Sequence, residues 1–475
     1  MPVSLKAAKH HVKRKLVKRR FLLRRAPNIR IDTKLESKSS KPPAPSGRGH
    51  CIISAAFEAV TEDSAIIDQE SVKMKRCFEF STIAAIALLL GASILPCSAQ
   101  INGTTVNGKP IIIPKSSIPH PGHINTNYFL VGTDQRQPQP PPDAETPASV
   151  ACVYELVSGP KGCPIATTTN VPTGGVGAIA IVDAGDYPTA KEDLHAFSSQ
   201  FGIPDADFQI VYADGHKPPE YSDWEVEESL DIEWAHAMAP KAKLFLVESV
   251  LCTSDKCNTD PTWQAVKVAS DLVAKNGGGV ISMSWGDPEW AQERDFDHYM
   301  TTPGVVYFAG AGDWGLNYPF HPAASPNVVA VGGTYFNRDN NGDFTYEQYY
   351  TGGGGGGISP YEPRPSYQDI IKSIVGSKRG FPDVASDYCC AAIYLQGWGE
   401  VGGTSWASPT FAGIVNAAGL LKKSSHDELS MIYKEYANPK QHKAYFFDIT
   451  QGDSQCVVGW DECAGVGSPR TYKGK

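Results

Sequence analysis

Apolar and polar positions fall into short blocks along the middle of the chain. Gly177-Ala-Ile-Ala-Ile-Val-Asp183 is an apolar run that ends in a turn, the pattern of a buried strand. Leu244–Glu248, Gly279–Met283 and Val305–Ala309 repeat it. Between these runs, Ala190–Phe201, Trp224–Ala239 and Pro261–Lys275 carry apolar residues at helical spacing, and Thr410–Leu421 does so further on. Strands alternating with helices predict an α/β fold with a mostly parallel central sheet flanked by helices. No internal repeat interrupts the pattern. In such folds ligands bind at the carboxyl ends of the strands.

The first 147 residues read differently. Met74 to Ala99 has a basic start, an apolar stretch from Ser81 to Leu95 and a small-residue site ending at Ala99, which together predict a secretory signal peptide over 74–99. Signal peptides stand at a chain's N-terminus, so residues 1–73 are expected to be a non-native or disordered extension, with Met74 the true start. A basic tail followed by an uncleaved anchor is the other reading. The expected location is extracellular or periplasmic, with no stable membrane association after signal cleavage. Residues 100–147 are Pro-rich and read as a linker or short pro-segment, which leaves 148–475 for the folded domain.

Composition narrows the classes. With 41% hydrophobic residues the chain has enough apolar material for a core, and no apolar run reaches the roughly 20 residues of a spanning helix. The formal charge of −8 hides an asymmetry. Residues 1–99 carry 18 Lys+Arg against 8 Asp+Glu, and the remainder carries 25 against 43. A folded part this acidic predicts no nucleic-acid partner. Eleven cysteines fall to eight beyond Ala99, and 152/163, 252/257 and 456/463 are close in sequence. That spacing suits local disulfides in an oxidising compartment; Cys389 and Cys390 are adjacent, with no partner assigned.

Three stretches carry chemistry. Gly402-Gly-Thr-Ser405-Trp-Ala-Ser-Pro409 places a serine between a Gly-rich turn and a helix, near the positive end of its dipole. It suits a nucleophile, or a simple N-cap. A nucleophilic serine needs a base. One source is histidine, with His236 in a helical segment and Asp183 at a strand end. The other is a carboxylate: Glu227 and Asp231 are i,i+4 on one helix face. If buried they share a proton and their apparent pKa values split; with Glu225, Glu228 and Glu233 crowding the same stretch, a solvated face is the plain alternative. Finally, Ala309-Gly-Ala-Gly-Asp313-Trp-Gly315 follows a strand and reads as an oxyanion loop or a turn. An ionised Asp313 would repel an oxyanion, whereas a protonated one donates to it.

These stretches, with Ile281-Ser-Met-Ser-Trp-Gly286, make the chain resemble the sedolisin (serine-carboxyl peptidase) family of subtilisin-like fold over most of 147–470. The resemblance implies a serine-type endopeptidase or tripeptidyl peptidase active in acid on protein or peptide substrates. It implies Ser405 as nucleophile, Glu227 rather than Glu228 as general base, Asp231 as its partner and Asp313 as oxyanion donor. Ser284, Trp285 and Gly286 become the strand edge that pairs with substrate. It further implies one structural Ca2+ held by the Asp448 and Asp461 side chains and the carbonyls of Ile449, Val457 and Gly459, in a loop flanked by Cys456 and Cys463. Val457 stands where the family usually has Gly. Gln100–Thr146 is too short for the long folded pro-domain usual in the family: either folding is unassisted, or a helper acts in trans, or this segment serves alone. A histidine-based subtilase using Asp183, His236 and Ser405, and a silent scaffold on the same fold, are the competing functions.

Overall fold

The structure, a computed structural model, describes residues 105–133, 136–251 and 261–475. The leader expected at 74–99, the extension before it and the pair Cys252/Cys257 lie outside these residues.

The apolar runs become strands, and their alternation decides which face each side chain enters. The strands used here are β1 (Thr105–Val106), β2 (Lys109–Ile112), β3 (Asn125–Thr126), β4 (Phe129–Val131), β5 (Ala178–Ala184), β6 (Phe208–Tyr212), β7 (Lys243–Ser249), β8 (Gly279–Met283), β9 (Trp285–Pro288), β10 (Val305–Gly310), β11 (Val329–Arg338), β12 (Val384–Tyr394) and β13 (Trp398–Gly402). The central sheet runs β1-β2-β4-β13-β12-β11-β10-β8-β5-β7-β6. Pairings from β6 through β12 are parallel. The edge from β12 through β13, β4 and β2 to β1 is antiparallel.

Helices cover both faces. Helix α1 (Pro147–Val153) lies where no helix was expected, and α2 (Ala190–Phe201), α3 (Ser222–Met238), α4 (Pro261–Lys275) and α5 (Thr404–Ala417) match the expected segments closely. The exception is α5, which begins at Thr404 rather than at 410. On β5, Ile179 and Ile181 enter the cluster that contains Leu230 and Trp234 of α3 and Phe411 of α5. Ala178, Ala180 and Val182 point to the other cluster, with Trp263 and Val266 of α4. This is the period-two alternation of a sheet packed on both sides. Between α3 and α5, the Trp234 and Trp406 rings meet edge-on with centroids 4.8 Å apart.

Cys152 bonds Cys163 and Cys456 bonds Cys463, as their spacing led us to expect; Cys389 and Cys390 bond each other. The Gly352–Gly357 run, which the sequence marks as a flexible loop, is packed instead. A Cβ on Gly355, which sits at φ 67°, would lie 2.4 Å from the Gly312 carbonyl oxygen. The glycines are there because the chain passes against the Asp313 loop, not because it is loose.

One ion pair lies wholly inside. Arg379 is fully buried and donates to Asp383 through two nitrogens, at 2.9 and 2.6 Å. Asp383 also accepts from the Tyr433 hydroxyl at 2.9 Å and the Ala330 N–H at 2.9 Å. Removing one partner strands the other charge in a dry site, so Asp383→Ala is expected to lower unfolding free energy by about 3–5 kcal/mol in urea titrations. Lys267→Ala, which breaks an exposed i,i+4 pair with Asp271, is expected to cost about 0.3–0.5 kcal/mol; equal losses would refute the contrast.

Buried acids set a second expectation. Burial pushes the Glu347 and Glu428 carboxyls up to about 7, against hydroxyl donors at Glu347 and lysine charges at Glu428. The native state keeps protons that the unfolded chain releases near its ordinary value of about 4.3. Their contribution to stability is therefore full below that value and is lost as pH rises through about 7. The melting temperature at constant ionic strength is expected to fall from mildly acidic to neutral pH; a rise across that window would contradict it.

Candidate active site

Four elements converge above the carboxyl ends of the parallel strands. Helix α3 carries Glu227 and Asp231, β8 runs into Ser284, β10 into the Asp313 loop, and β13 turns through Gly403 into α5, with Ser405 in its first turn. All of Glu227, Asp231, Ser284 and Ser405 are fully buried. Ser284 links two of the others: its hydroxyl donates to Asp231 Oδ1 at 2.8 Å and to the Ser405 carbonyl at 3.1 Å. The Ser405 hydroxyl donates to the Ser284 carbonyl at 3.1 Å. Trp285, next in line, anchors its indole N–H on the Val182 carbonyl at 2.7 Å. On the oxyanion loop, Asp313 Oδ1 accepts from the Thr404 N–H at 2.8 Å and hydroxyl at 2.9 Å.

The electrostatics follow from the lack of water. Burial raises Glu227 well above the ordinary range, and the charges of Asp183 and Asp313 add to it; the Ser405 hydroxyl and the Asn127 N–H oppose it. Neither Glu227 oxygen has a donor at close hydrogen-bond geometry, so the desolvation is largely uncompensated. Burial likewise raises Asp231, helped by Asp183 and Glu227 and opposed by the Ser284 hydroxyl. Asp313 is raised by burial alone, with Thr404 and the Tyr388 hydroxyl pulling the other way. Together the carboxyls hold protons that isolated ones release, and they titrate as a set.

Several expectations need correction. Asp183, offered above only as the carboxylate of a histidine-based site, is wholly buried beside Glu227 and Asp231; its oxygens lack close hydrogen-bond partners and burial pushes it up to about 8. Its place at the end of β5 was the available signal. Glu228 and Glu233 are not on a solvated face: both are fully buried, and Glu233 accepts from the Tyr394 N–H at 3.1 Å. The cause is that α3 is covered on every side. His236 hydrogen-bonds the Pro204 carbonyl at 2.8 Å, and no histidine is among the hydrogen-bond partners of Ser405. Tyr388, which flanks Asp313, carried no motif that marked it, and Thr404 lay inside the Gly402–Pro409 motif without a role assigned to it.

Residues 125–127, within the stretch read as a linker or short pro-segment, also enter the site. Strand β3 pairs antiparallel with β9, Asn125 opposite Gly286 and Thr126 opposite Trp285. The next residue, Asn127, donates its N–H to the Ser405 hydroxyl at 3.1 Å, and its carbonyl accepts from the Ser405 N–H at 3.1 Å.

The C-terminal loop brings two carboxylates to one turn. Asp448 accepts from the Gly459 N–H at 3.2 and 3.1 Å, and Asp461 from the Val457 N–H at 2.7 Å. Val457 is not among the described residues with positive φ, so the side chain in place of glycine is accommodated. Ile449 is buried and Val457 exposed. Among the described residues no three His, Cys, Asp or Glu side chains group as metal ligands. A cation here would have to rely on these two carboxylates and on backbone carbonyls, the hard oxygen donors that suit calcium.

No family model matches the chain. It is 31% identical to kumamolisin of Bacillus sp. (strain MN-32) over 380 residues, 69% of this chain and 62% of that protein. It is 27% identical to sedolisin of Pseudomonas sp. (strain 101) over 347 residues, 63% of this chain and 57% of the relative. The chain thus spans about three fifths of the length of these relatives. The solved structure of Pseudomonas sedolisin complexed with two molecules of pseudo-iodotyrostatin superposes with a TM-score of 0.56 at 22% identity, covering 71% of this chain and 97% of that one. The parallel sheet flanked by helices, the order of the motifs along it and these relatives agree: the chain belongs to the sedolisin family and has its subtilisin-like fold.

Proposed function

We propose that this protein is a secreted serine-carboxyl peptidase that hydrolyses protein or peptide substrates in acid. The observation that supports it most is the enclosure of Ser405 by buried carboxyls whose protons are held well above the ordinary range. Substrate backbone would pair with Ser284-Trp285-Gly286 as an added strand. Ser405 Oγ attacks the carbonyl carbon, and its proton passes to Glu227. Asp231 shares the charge with Glu227 and is oriented by Ser284. The developing oxyanion is met by the Ser405 N–H and by protonated Asp313. Glu227 then returns the proton to the leaving amine, and water resolves the ester.

The residues that would hold a calcium ion are Asp448 and Asp461, with the carbonyls of Ile449, Val457 and Gly459; it would supply charge compensation to a loop closed by Cys456–Cys463.

The pH dependence has a definite sign. Glu227 must be ionised to accept a proton, which sets an acid limb. Asp313 must keep its proton to donate, so activity is lost as pH rises through its raised pKa. Digestion of a denatured protein is expected to peak in acid and to drop by roughly a million-fold in Ser405→Ala. Asp313→Ala is expected to lower kcat by about 10²–10³-fold, whereas Asp313→Asn keeps a donor and moves the alkaline limb upward. An unchanged alkaline limb in Asp313→Asn would remove Asp313 from the role. Chelation of calcium is expected to lower the melting temperature of the wild type and to leave Asp461→Ala unaffected; equal sensitivity of both would place any ion elsewhere.

A further inference from the structure

Tyr388 touches both halves of the machinery around Ser405. It stands in β12, and the next residue, Cys389, pairs with Gly402 of β13. The Tyr388 carbonyl accepts from the Gly403 N–H at 2.8 Å, which fixes the turn that leads into Thr404 and Ser405. From the other end of the residue, the hydroxyl faces the Asp313 carboxyl as a hydrogen-bond donor. Tyr388 therefore brackets Thr404, which supplies both close donors to Asp313.

The side chain has a built place. Tyr388 is buried, with its ring tilted against Tyr350 at 4.7 Å and against Phe129 at 5.2 Å between centroids. A Cβ on Gly333 would lie 2.4 Å from Tyr388 Cδ2, and one on Gly353 would lie 2.4 Å from Tyr388 Oη. The room at Gly353 is taken by the hydroxyl, so this packing accommodates the oxygen and not only the aromatic bulk.

The Asp313 carboxyl leaves one position for that donor. Oδ1 takes the Thr404 N–H and hydroxyl, which use its two lone pairs. The proton then belongs on Oδ2, whose remaining lone pair is open to Tyr388. Oδ2 lies at the turn before Ser405: a Cβ on Gly403 would fall 2.8 Å from it. The contact from Tyr388 is not at close geometry in the resting site, and catalytic hydrogen bonds of this kind tighten in the transition-state complex.

We propose that Tyr388 is a positioning residue for Asp313: its hydroxyl donates to Oδ2, holds the carboxyl against Thr404 and turns the Asp313 proton toward Ser405. The inference rests on the reading of Asp313 as oxyanion donor. A donor on Oδ2 also steadies ionised Asp313, so Tyr388 opposes the burial that raises this acid. The other titratable groups that face Asp313 are Glu227 of α3, Tyr349 and Tyr350, and all of them are acids. Burial, and then the Asp313 charge, raises the Tyr388 phenol well above its ordinary value, so it stays a donor wherever Asp313 keeps its proton.

The test is the pH dependence of kcat and KM for a quenched fluorescent peptide, using the full chain incubated in acid. Tyr388→Phe keeps the ring and removes the donor. Its alkaline limb is expected to move up by about one to two pH units. Its kcat in acid is expected to fall, by less than the roughly 10²–10³-fold of a missing oxyanion donor, with KM unchanged. Difluorotyrosine at position 388 is a stronger donor on the same ring and is expected to move the limb down; it carries the test if Tyr388→Phe does not fold. In an Asp313→Asn background neither change is expected to move the limb. A limb that stays in place in both variants overturns the role of Tyr388 and leaves the peptidase reading intact. So does a limb that moves as far in the Asp313→Asn background. A wild type with no Ser405-dependent activity at any pH overturns the peptidase reading and this inference with it.

Discussion

Desolvation of carboxylic acids is the constraint on which this protein is built. Glu227, Asp231 and Asp183 are fully buried and Asp313 is half-buried, and in each the largest cause of the raised pKa is burial. An isolated carboxylate in such a place costs several kcal/mol, so the stable form is the protonated one. The fold meets this cost by holding the acids on fixed backbone: Glu227 and Asp231 in the middle of α3, Asp183 near the end of β5 and Asp313 in the loop after β10. Helix α3 is buried from Val226 to Met238 and β5 along its whole length, so Glu227, Asp231 and Asp183 cannot swing out to water and ionise cheaply. Glu347, in the strand Phe344–Tyr349 that pairs antiparallel with β11, and Glu428, in the helix Ser425–Tyr436, obey the same rule. Acid chemistry at the centre and proton retention throughout are therefore two expressions of one condition.

The pairing of roles inside the site depends on small differences between like groups. Glu227 and Asp231 lie one turn apart on the same helix, yet only Asp231 has a hydroxyl donor in close geometry, from Ser284. Asp313 has two donors on one oxygen, both from Thr404, and none at close geometry on the other. Such unequal solvation is what lets neighbouring acids hold different numbers of protons at one pH.

The strands and helices of the sheet were legible because apolar runs of period two and helical spacing follow directly from two-sided packing. Ser284 and Ser405 stood out because each lies where a strand ends or a helix begins, and Asp231 because it stands i,i+4 from Glu227 on one helix. The burial of Glu228 and Glu233 was hidden: an acidic helix looks solvated until the elements that cover it are known. Tyr388 was hidden for a related reason. It reaches Asp313 from a neighbouring strand, and contacts between distant segments leave no local pattern. The extended segment before α1 was recognisable as extended from its prolines, but its register against Trp285 depends on a pairing that no local rule predicts.

The union of β4 with β13 bears on how the chain reaches this state. It joins Leu130 to Val401, segments near opposite ends of the described chain, and such a closure pays a large loop entropy before any contact rewards it. The parallel core can assemble without it, leaving β13 as a bare edge. An exposed edge strand is a template for pairing with another molecule. The late arrival of β4 therefore ends the interval in which the folding chain is open to self-association, and a chain lacking that segment would remain in it.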